Sequence, residues 1–229
     1  GIAAEIQPSW PEPYMNLGAV MTRMGAAREA VQVLEKALTL APGDPGVLNN
    51  LGIAYSRMLE LGKAEEFLRT AVEADPDLAS AHSQLGRVLR LAGKLTESLE
   101  AHDRAVALVP DRARFHARRA RTLLELGKKK EANATLDAAE KLDPDDPTTV
   151  LVSGIALLAK KKTHLQAVET LRRAVDLDPA GAEAHAMLAL ALVKTNSSEE
   201  ARGHIETALD LDPYLEKLDW VAKLVKKLG

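Results

Sequence analysis

Prolines recur along this chain at an almost constant interval, and this interval constrains the fold more strongly than any other feature of the sequence. Neighbouring members of the series are 34 residues apart, except for one step of 35. Such repetition is typical of architectures in which one small motif is stacked several times. The sequence therefore predicts a repeat protein. The prolines are Pro8, Pro42, Pro76, Pro110, Pro144, Pro179 and Pro213.

Small residues follow the same interval. From Pro42 onward, an alanine precedes each proline by five residues and a small residue precedes it by twelve. Small side chains at fixed positions let two packed helices approach closely, whereas bulky ones would force them apart. The two series are Ala37, Ala71, Ala105, Ala139, Ala174 and Ala208, and Ala30, Ala64, Ser98, Ala132, Ala167 and Ala201.

The repeated segment has the pattern of two amphipathic helices. In residues 47–59 (VLNNLGIAYSRML) and in residues 64–74 (AEEFLRTAVEA), apolar side chains lie three and four residues apart. Ala and Leu are abundant and aromatic residues make up only 3% of the chain, which favours an all-α fold. Each proline is expected to end the second helix. A single helix pair cannot bury its apolar faces alone, so the pairs must stack.

The repeated segment resembles the tetratricopeptide repeat. That motif has W-x2-L-G-x2-Y in its first helix, then A-x3-F, Ala and Pro, over about 34 residues. Residues 14–21 (YMNLGAVM) and 48–55 (LNNLGIAY) match its first half, and residues 30–42 and 64–76 match its second half. The resemblance implies an all-α, right-handed superhelical solenoid of antiparallel helix pairs. We expect six repeats over residues 11–214, starting at Pro11, Pro45, Ala79, Ala113, Pro147 and Ala182.

Two repeats depart from the family pattern. The fifth has one extra residue, which we place in the turn at Lys160–His164. The fourth has Arg119 where the family usually places a buried leucine, which puts the packing of its first helix in doubt.

The two ends of the array are expected to differ. Residues 1–10 have the pattern of a remnant of a preceding repeat, and a native N-terminal arm is the alternative. If they are such a remnant, the first helix of that repeat is missing, and Ile2, Ile6 and the helix at 11–24 lack the helix that would pack against them. We then expect the chain to associate with itself through this end. At the other end, residues 215–229 are expected to form one capping helix with Leu215, Leu218, Ala222, Val225 and Leu228 on its apolar stripe and Trp220 away from that stripe.

The sequence offers little that could carry catalytic chemistry, so we expect no catalytic residue, no metal site and no cofactor. It contains no cysteine, which excludes thiolate chemistry and Cys-ligated metals. It has neither G-x-G-x-x-G nor G-x-x-x-x-G-K-[ST]. Three histidines, His82, His116 and His185, occupy the position of the motif's tryptophan, and His102 occupies that of its phenylalanine. These are packing positions, and histidines of neighbouring repeats would lie too far apart to share a metal.

The resemblance also implies a binding surface. In this family the first helices of successive repeats line a concave groove that holds the partner. Along these positions the chain changes from amides to arginines and then to aliphatic residues, although the amides could simply be solvated and a local change of register could bury the aliphatic residues. The expected groove residues are Asn16, Asn49, Asn50, Gln84, Arg87, Arg90, Arg114, Arg118, Arg121, Leu151, Ile155, Met187 and Leu190.

The arginines favour an acidic group in the bound segment. Arg114, Arg118 and Arg121 are four and three residues apart and so share one helix face, where guanidinium groups favour carboxylates or phosphates. Arg114 and Arg118 match two basic positions of the carboxylate clamp in chaperone-binding members. Asn49 and Ile53 do not match the rest of that clamp, so we do not expect a chaperone-tail site.

These observations together predict a non-catalytic scaffold that binds an extended peptide or a helix of a protein partner. The alternatives are the substrate-recruiting or regulatory arm of a larger enzyme and a self-assembling scaffold. The net charge of −3 argues against bulk nucleic-acid binding, and no apolar run reaches the roughly 18 residues that a membrane span needs. The absence of cysteine fits a reducing compartment such as the cytoplasm.

Overall fold

A computed structural model describes residues 10–229, and within this range every regular element is a helix. The expected all-α fold of helix pairs is therefore confirmed. The contacts divide the chain into two compact units, the first ending at Pro110 and the second beginning at Asp111. The helices of the first unit are α1 (Pro11–Arg23), α2 (Ala27–Leu40), α3 (Pro45–Arg57), α4 (Leu61–Ala74), α5 (Ala79–Leu91) and α6 (Leu95–Leu108).

In the first unit each odd-numbered helix packs against the helix that follows it, and α3 lies between α1 and α5. The recurring glycines explain how closely the two helices of a pair approach. A Cβ added to Gly18 would lie 2.5 Å from Cγ of Leu34, and one added to Gly52 would lie 2.5 Å from Cγ of Leu68. Any larger residue at these positions would therefore separate the pair or displace a fully buried leucine.

Ion pairs also connect consecutive repeats of the first unit. Lys94 Nζ, at the start of α6, lies 2.9 Å from Glu65 Oε1 on α4. Arg69 donates to Glu65 over 3.0 Å and to Glu97 over 2.6 Å. Burial of Glu65 raises the pKa of its carboxyl, but the hydrogen bonds from Lys94 and Arg69 outweigh burial, so this pKa lies below its usual value.

The second unit has the same helix pairs and an additional C-terminal segment. A core cluster centred on Leu171, Leu188 and Leu192 joins its last two repeats to this segment. The elements are α7 (Ala113–Glu125), α8 (Lys129–Leu142), α9 (Pro147–Leu157), a 3₁₀ turn (Lys161–Thr163), α10 (His164–Leu177), α11 (Ala182–Lys194), α12 (Ser198–Leu211), a second 3₁₀ segment (Pro213–Lys217) and α13 (Asp219–Leu228).

The irregularities of the fourth and fifth repeats lie where the sequence placed them. Helix α9 ends at Leu157, and the short 3₁₀ turn that follows takes up the extra residue. Thr163 Oγ1 donates to the carbonyl of Leu157 over 2.6 Å, which satisfies an acceptor at the end of α9. In the fourth repeat, Arg119 is half-buried and its Nη1 donates to Thr135 Oγ1 over 2.9 Å. A hydrogen bond to α8 thus stands where four of the other repeats have a leucine.

The C-terminal segment differs from the single helix expected over residues 215–229. Asp212 accepts from the backbone N–H of Tyr214 over 3.1 Å and starts a 3₁₀ segment, and α13 begins only at Asp219. This break changes the helix register. Val221, Leu224 and Leu228 are the buried residues of α13, whereas Ala222 is exposed.

The placement predicted for Trp220 was wrong. Its side chain is half-buried and packs against the core cluster of the last two repeats. The predictions for residues 1–10, including those for Ile2 and Ile6, concern residues that lie outside the described range except for Trp10.

Candidate functional site

The candidate residues of the first unit lie on α1, α3 and α5, and we call this surface the first-helix face of that unit. Asn16 is exposed, and Asn50 and Gln84 are half-buried, so these amides reach the surface. Asn49 does not, because its residue is only 8% exposed. Its Oδ1 is buried and accepts no hydrogen bond from any residue that the structure describes. Asn49 thus belongs beneath this face, which corrects its assignment as an open groove residue.

One of the two arginines of α5 is held against the preceding repeat. Arg87 Nη2 donates to Ser56 Oγ on α3 over 2.8 Å, and both Arg87 and Arg90 are half-buried. Such a hydrogen bond fixes the guanidinium beside the amides instead of leaving it free in solvent. The first unit therefore presents a row of donors and acceptors on α1, α3 and α5.

The arginines of the second unit lie on α7 among carboxylates of the following repeats. Arg114 Nε lies 3.5 Å from Oδ2 of Asp146, which is buried and accepts from the N–H of Thr149 at the start of α9. Arg121 Nε donates to Glu125 over 2.9 Å, and Arg121 Nη2 lies 3.9 Å from Glu183 Oε1 on α11. Arg114 and Arg121 therefore each lie beside a carboxylate of the chain itself.

Arg121 is more enclosed than Arg114. Only 14% of its side chain is exposed, whereas 48% of the Arg114 side chain is. Its Nη1 is buried and has no acceptor among the described residues. A buried donor without an acceptor costs about 1–3 kcal/mol. Arg118, between the two, is half-buried.

The aliphatic residues of the later repeats do not form an open groove floor. Met187 is only 6% exposed and belongs to the core cluster of the second unit. Leu151, Ile155 and Leu190 are half-buried and pack against the same cluster. Met187 is therefore a core residue and not the groove residue that was expected, whereas the other three reach the surface in part.

Two histidines of the sixth repeat meet, which the sequence had not indicated. His185 Nδ1 lies 3.0 Å from His204 Nδ1, and His204 Nε2 lies 3.8 Å from Glu200 Oε1. Burial, followed by the charge of His185, lowers the pKa of His204. Within residues 10–229 no group of three metal-ligating side chains lies close enough to hold a metal ion.

The sequence did not indicate His204, Glu125 or Glu183 as neighbours of the candidate residues, because their position depends on how the side chains of packed helices meet. A signal was present for Asp146, which precedes Pro147 as the N-terminal cap of α9. The corresponding cap in the first unit is Asp44, whose Oδ1 accepts from the N–H of Val47 over 2.8 Å.

The family is decided by comparison with known proteins. Models of the tetratricopeptide repeat match residues 21–87, 89–150 and 153–216. The chain belongs to the tetratricopeptide repeat family. Repeats of this family generally build scaffolds for protein–protein interaction. No curated protein matches the sequence at a significant level.

Solved structures agree on the fold. The chain superposes on the Cut9–Hcn1 hetero-tetramer of the APC/C with a TM-score of 0.71 and 18% identity, covering 98% of this chain and 45% of that one. It matches pilF of Pseudomonas aeruginosa with a TM-score of 0.61 and 18% identity, covering 89% of this chain and 92% of that one. It matches TTC0263 of Thermus thermophilus with a TM-score of 0.69 and 22% identity, covering 80% of this chain and 99% of that one. At these identities the likeness establishes the helical-repeat fold alone. This chain spans less than half the length of the Cut9–Hcn1 chain that it matches.

Among the described helices, none combines the length and the apolar character that crossing a membrane requires.

Proposed function

We propose that this chain is a non-catalytic interaction module that binds an extended peptide along the first-helix face of each unit. In the first unit, Asn16, Asn50 and Gln84 offer amides that both donate and accept, so they fit a peptide backbone of any sequence. Arg87 lies beside them, held by Ser56. This combination favours a segment that runs across successive first helices and carries an acceptor near α5.

In the second unit the proposed ligand carries an acidic group. The observation that supports this best is the enclosed guanidinium of Arg121, whose Nη1 has no acceptor among the described residues. A carboxylate or a backbone carbonyl of a bound peptide would supply one and remove the cost of the unpaired donor. Arg114 and Arg118 lie on the same face of α7 and would strengthen the attraction.

The acidic neighbours set a condition on this binding. Asp146 and Glu183 already lie 3.5 and 3.9 Å from Arg114 and Arg121, and both distances exceed those of a normal charge-assisted hydrogen bond. A peptide carboxylate that bonds directly to Arg121 competes with these contacts. Binding should therefore weaken as salt concentration rises.

The test uses peptides selected from a random library on the immobilised chain, with Kd measured by fluorescence polarisation. Arg118→Ala combined with Arg121→Ala should weaken binding of acidic peptides by about 1.5–3 kcal/mol for each charge-assisted bond lost. Arg28→Ala, at an exposed position on α2, is the control and should leave Kd unchanged. Full-strength binding by the double variant at low salt would mean that the arginines form a solvated surface without a binding role.

A further inference from the structure

A cleft of about 600 Å³ lies within the second unit, between α8, α9 and α10. It lies on a different side of α9 from the first-helix face. Val150, Ser153 and Leu157 line the cleft, whereas helical spacing places Leu151 and Ile155 on the opposite side of the same helix. The cleft is thus separate from the peptide-binding surface proposed above, and its volume is in the range of small-ligand pockets.

Polar residues at two packing positions open this cleft. Glu140 takes a place that is apolar in every other repeat, and Ser153 takes one that is leucine in four of them. Instead of packing, Ser153 Oγ donates to Glu140 Oε1 over 2.7 Å. In the first unit, by contrast, Leu38 and Val72 correspond to Glu140, and both pack against a buried cluster. The equivalents are Leu38, Val72, Val106, Val175 and Leu209 for Glu140, and Leu17, Leu51, Leu85 and Leu188 for Ser153.

The chemistry of the cleft favours a cation with an aliphatic stem. Asn133, Asp137 and Glu140 line it from one stripe of α8, since they are four and three residues apart. All three carry oxygen acceptors, and all three are exposed. The buried side chains of Leu136 and Val150 form the apolar part of the lining.

The cations of the lining do not cancel this preference. Arg173 Nη2 donates to the carbonyl of Pro144 over 2.9 Å and forms an ion pair with Asp145, so its charge is already balanced within the chain. Lys160 also lines the cleft, from the segment that follows α9. The charge of Lys160 repels a cationic ligand, and replacing Lys160 by a neutral residue measures how much this repulsion lowers the affinity.

We propose that this cleft binds the side chain of an arginine or lysine presented by a partner protein. The aliphatic stem covers Leu136 and Val150, and the charged end bonds to Asp137 and to the second oxygen of Glu140. A polypeptide suits the site better than a free amine. The three acceptors extend over two turns of α8, about 10 Å, which is longer than one charged group, so the flanking backbone N–H groups of a partner can bond there too.

The first experiment titrates the full chain with a blocked glycine–arginine–glycine peptide and follows backbone amides of the second unit by NMR. The expected result is a saturable shift at the amides of Ser153 and Thr163. Glu140→Gln should weaken binding about fivefold, the upper end for a charge pair near the surface. Lys160→Met should strengthen it by removing a like charge. Asp210→Asn, at an exposed position on α12, is the matched control and should change nothing.

Three comparisons make the result decisive. The same peptide with neutral citrulline in place of arginine, and a glycine–glutamate–glycine peptide, are compared with the arginine peptide. Equal affinity for either of them would overturn the preference for a cation. Equal affinity for n-butylguanidinium would show that a free cation fills the site without a partner backbone, which also overturns the proposal. Glu140→Val with Ser153→Leu restores the apolar pattern of the other repeats, and this variant should lose the shifts while remaining folded.

Discussion

Gly52 provides the sharpest test of how these helix pairs are packed. The structure predicts that Gly52→Ala destabilises the chain although alanine is the better helix former. The new Cβ would lie 2.5 Å from Cγ and 2.9 Å from Cδ2 of Leu68, a residue with no exposed surface. The closest atom is the branch point of a fully buried side chain, so relieving the contact shifts the whole isobutyl group within a filled core.

Two effects of opposite sign decide the magnitude. Alanine gains about 1 kcal/mol over glycine in a helix interior, whereas overpacking a filled core costs about 1–3 kcal/mol. Because the contact is far below a normal van der Waals distance and its partner is immobile, we expect the upper part of that range. The net loss should be about 1–2 kcal/mol in the free energy of unfolding, measured by urea denaturation.

Two further variants isolate the cause. Gly203 lies in α12 with nothing within 4 Å of its added Cβ, so Gly203→Ala should stabilise the chain by about 0.5–1 kcal/mol. In a Leu68→Ala background, Gly52→Ala should become stabilising because the obstructing Cγ is gone. If Gly52→Ala stabilises the otherwise unchanged chain as much as Gly203→Ala does, close helix approach is not what this glycine provides.

Three other predictions concern pH, ion pairing and association. The lowered pKa of His204 means that the folded state disfavours protonation of this side chain. Its contribution to the free energy of unfolding is therefore complete above about pH 6.5 and is lost as pH drops towards the folded pKa. In thermal melts, His204→Phe should make the melting temperature less dependent on pH in this range. The lowered pKa of Glu65 gives a contribution that is present above about pH 4 and lost below it, so Glu65→Gln should destabilise at pH 7 and have little effect at pH 2. Val20 on α1 and Met24, the residue that follows α1, are 40% and 79% exposed, so we expect concentration-dependent association in sedimentation, reduced by Met24→Glu. A strict monomer at high concentration would contradict this.

The sequence predicted what depends on periodicity. Within residues 10–229 the helix pairs follow the 34-residue interval, and the glycine of the family motif lies where the two helices of a pair approach closely, at Gly18 and Gly52. Arg119 was expected on the packed side of its helix, and it bonds there to Thr135. These features follow from the position of one residue on a helix of known spacing, so local sequence is sufficient to place them.

The candidate site was predicted less well because it depends on contacts between repeats. The register of α11 indicated a groove position for Met187, but the surrounding cluster covers it. Glu125 lies within one turn of Arg121, but Asp146 and Glu183, the other carboxylates near Arg114 and Arg121, are more than 30 residues away along the chain. Spacing on one helix does not reveal which distant side chain a long arginine will reach. The meeting of His185 and His204 was missed for the same reason.

The exceptions to the repeat pattern are concentrated around α9. In a stacked array each repeat is stabilised mainly by its neighbours, so a polar residue at a packing position weakens one particular interface. Glu140 and Ser153 lie at such positions and bond to each other, and α9 itself ends early at Leu157. A chain selected only for stacking would keep apolar residues there, because a hydrogen bond between partly exposed side chains contributes less than the burial of a leucine and a valine. Under the proposal that the cleft binds a cationic side chain, Glu140 and Ser153 serve the ligand at the expense of the stacking of repeats.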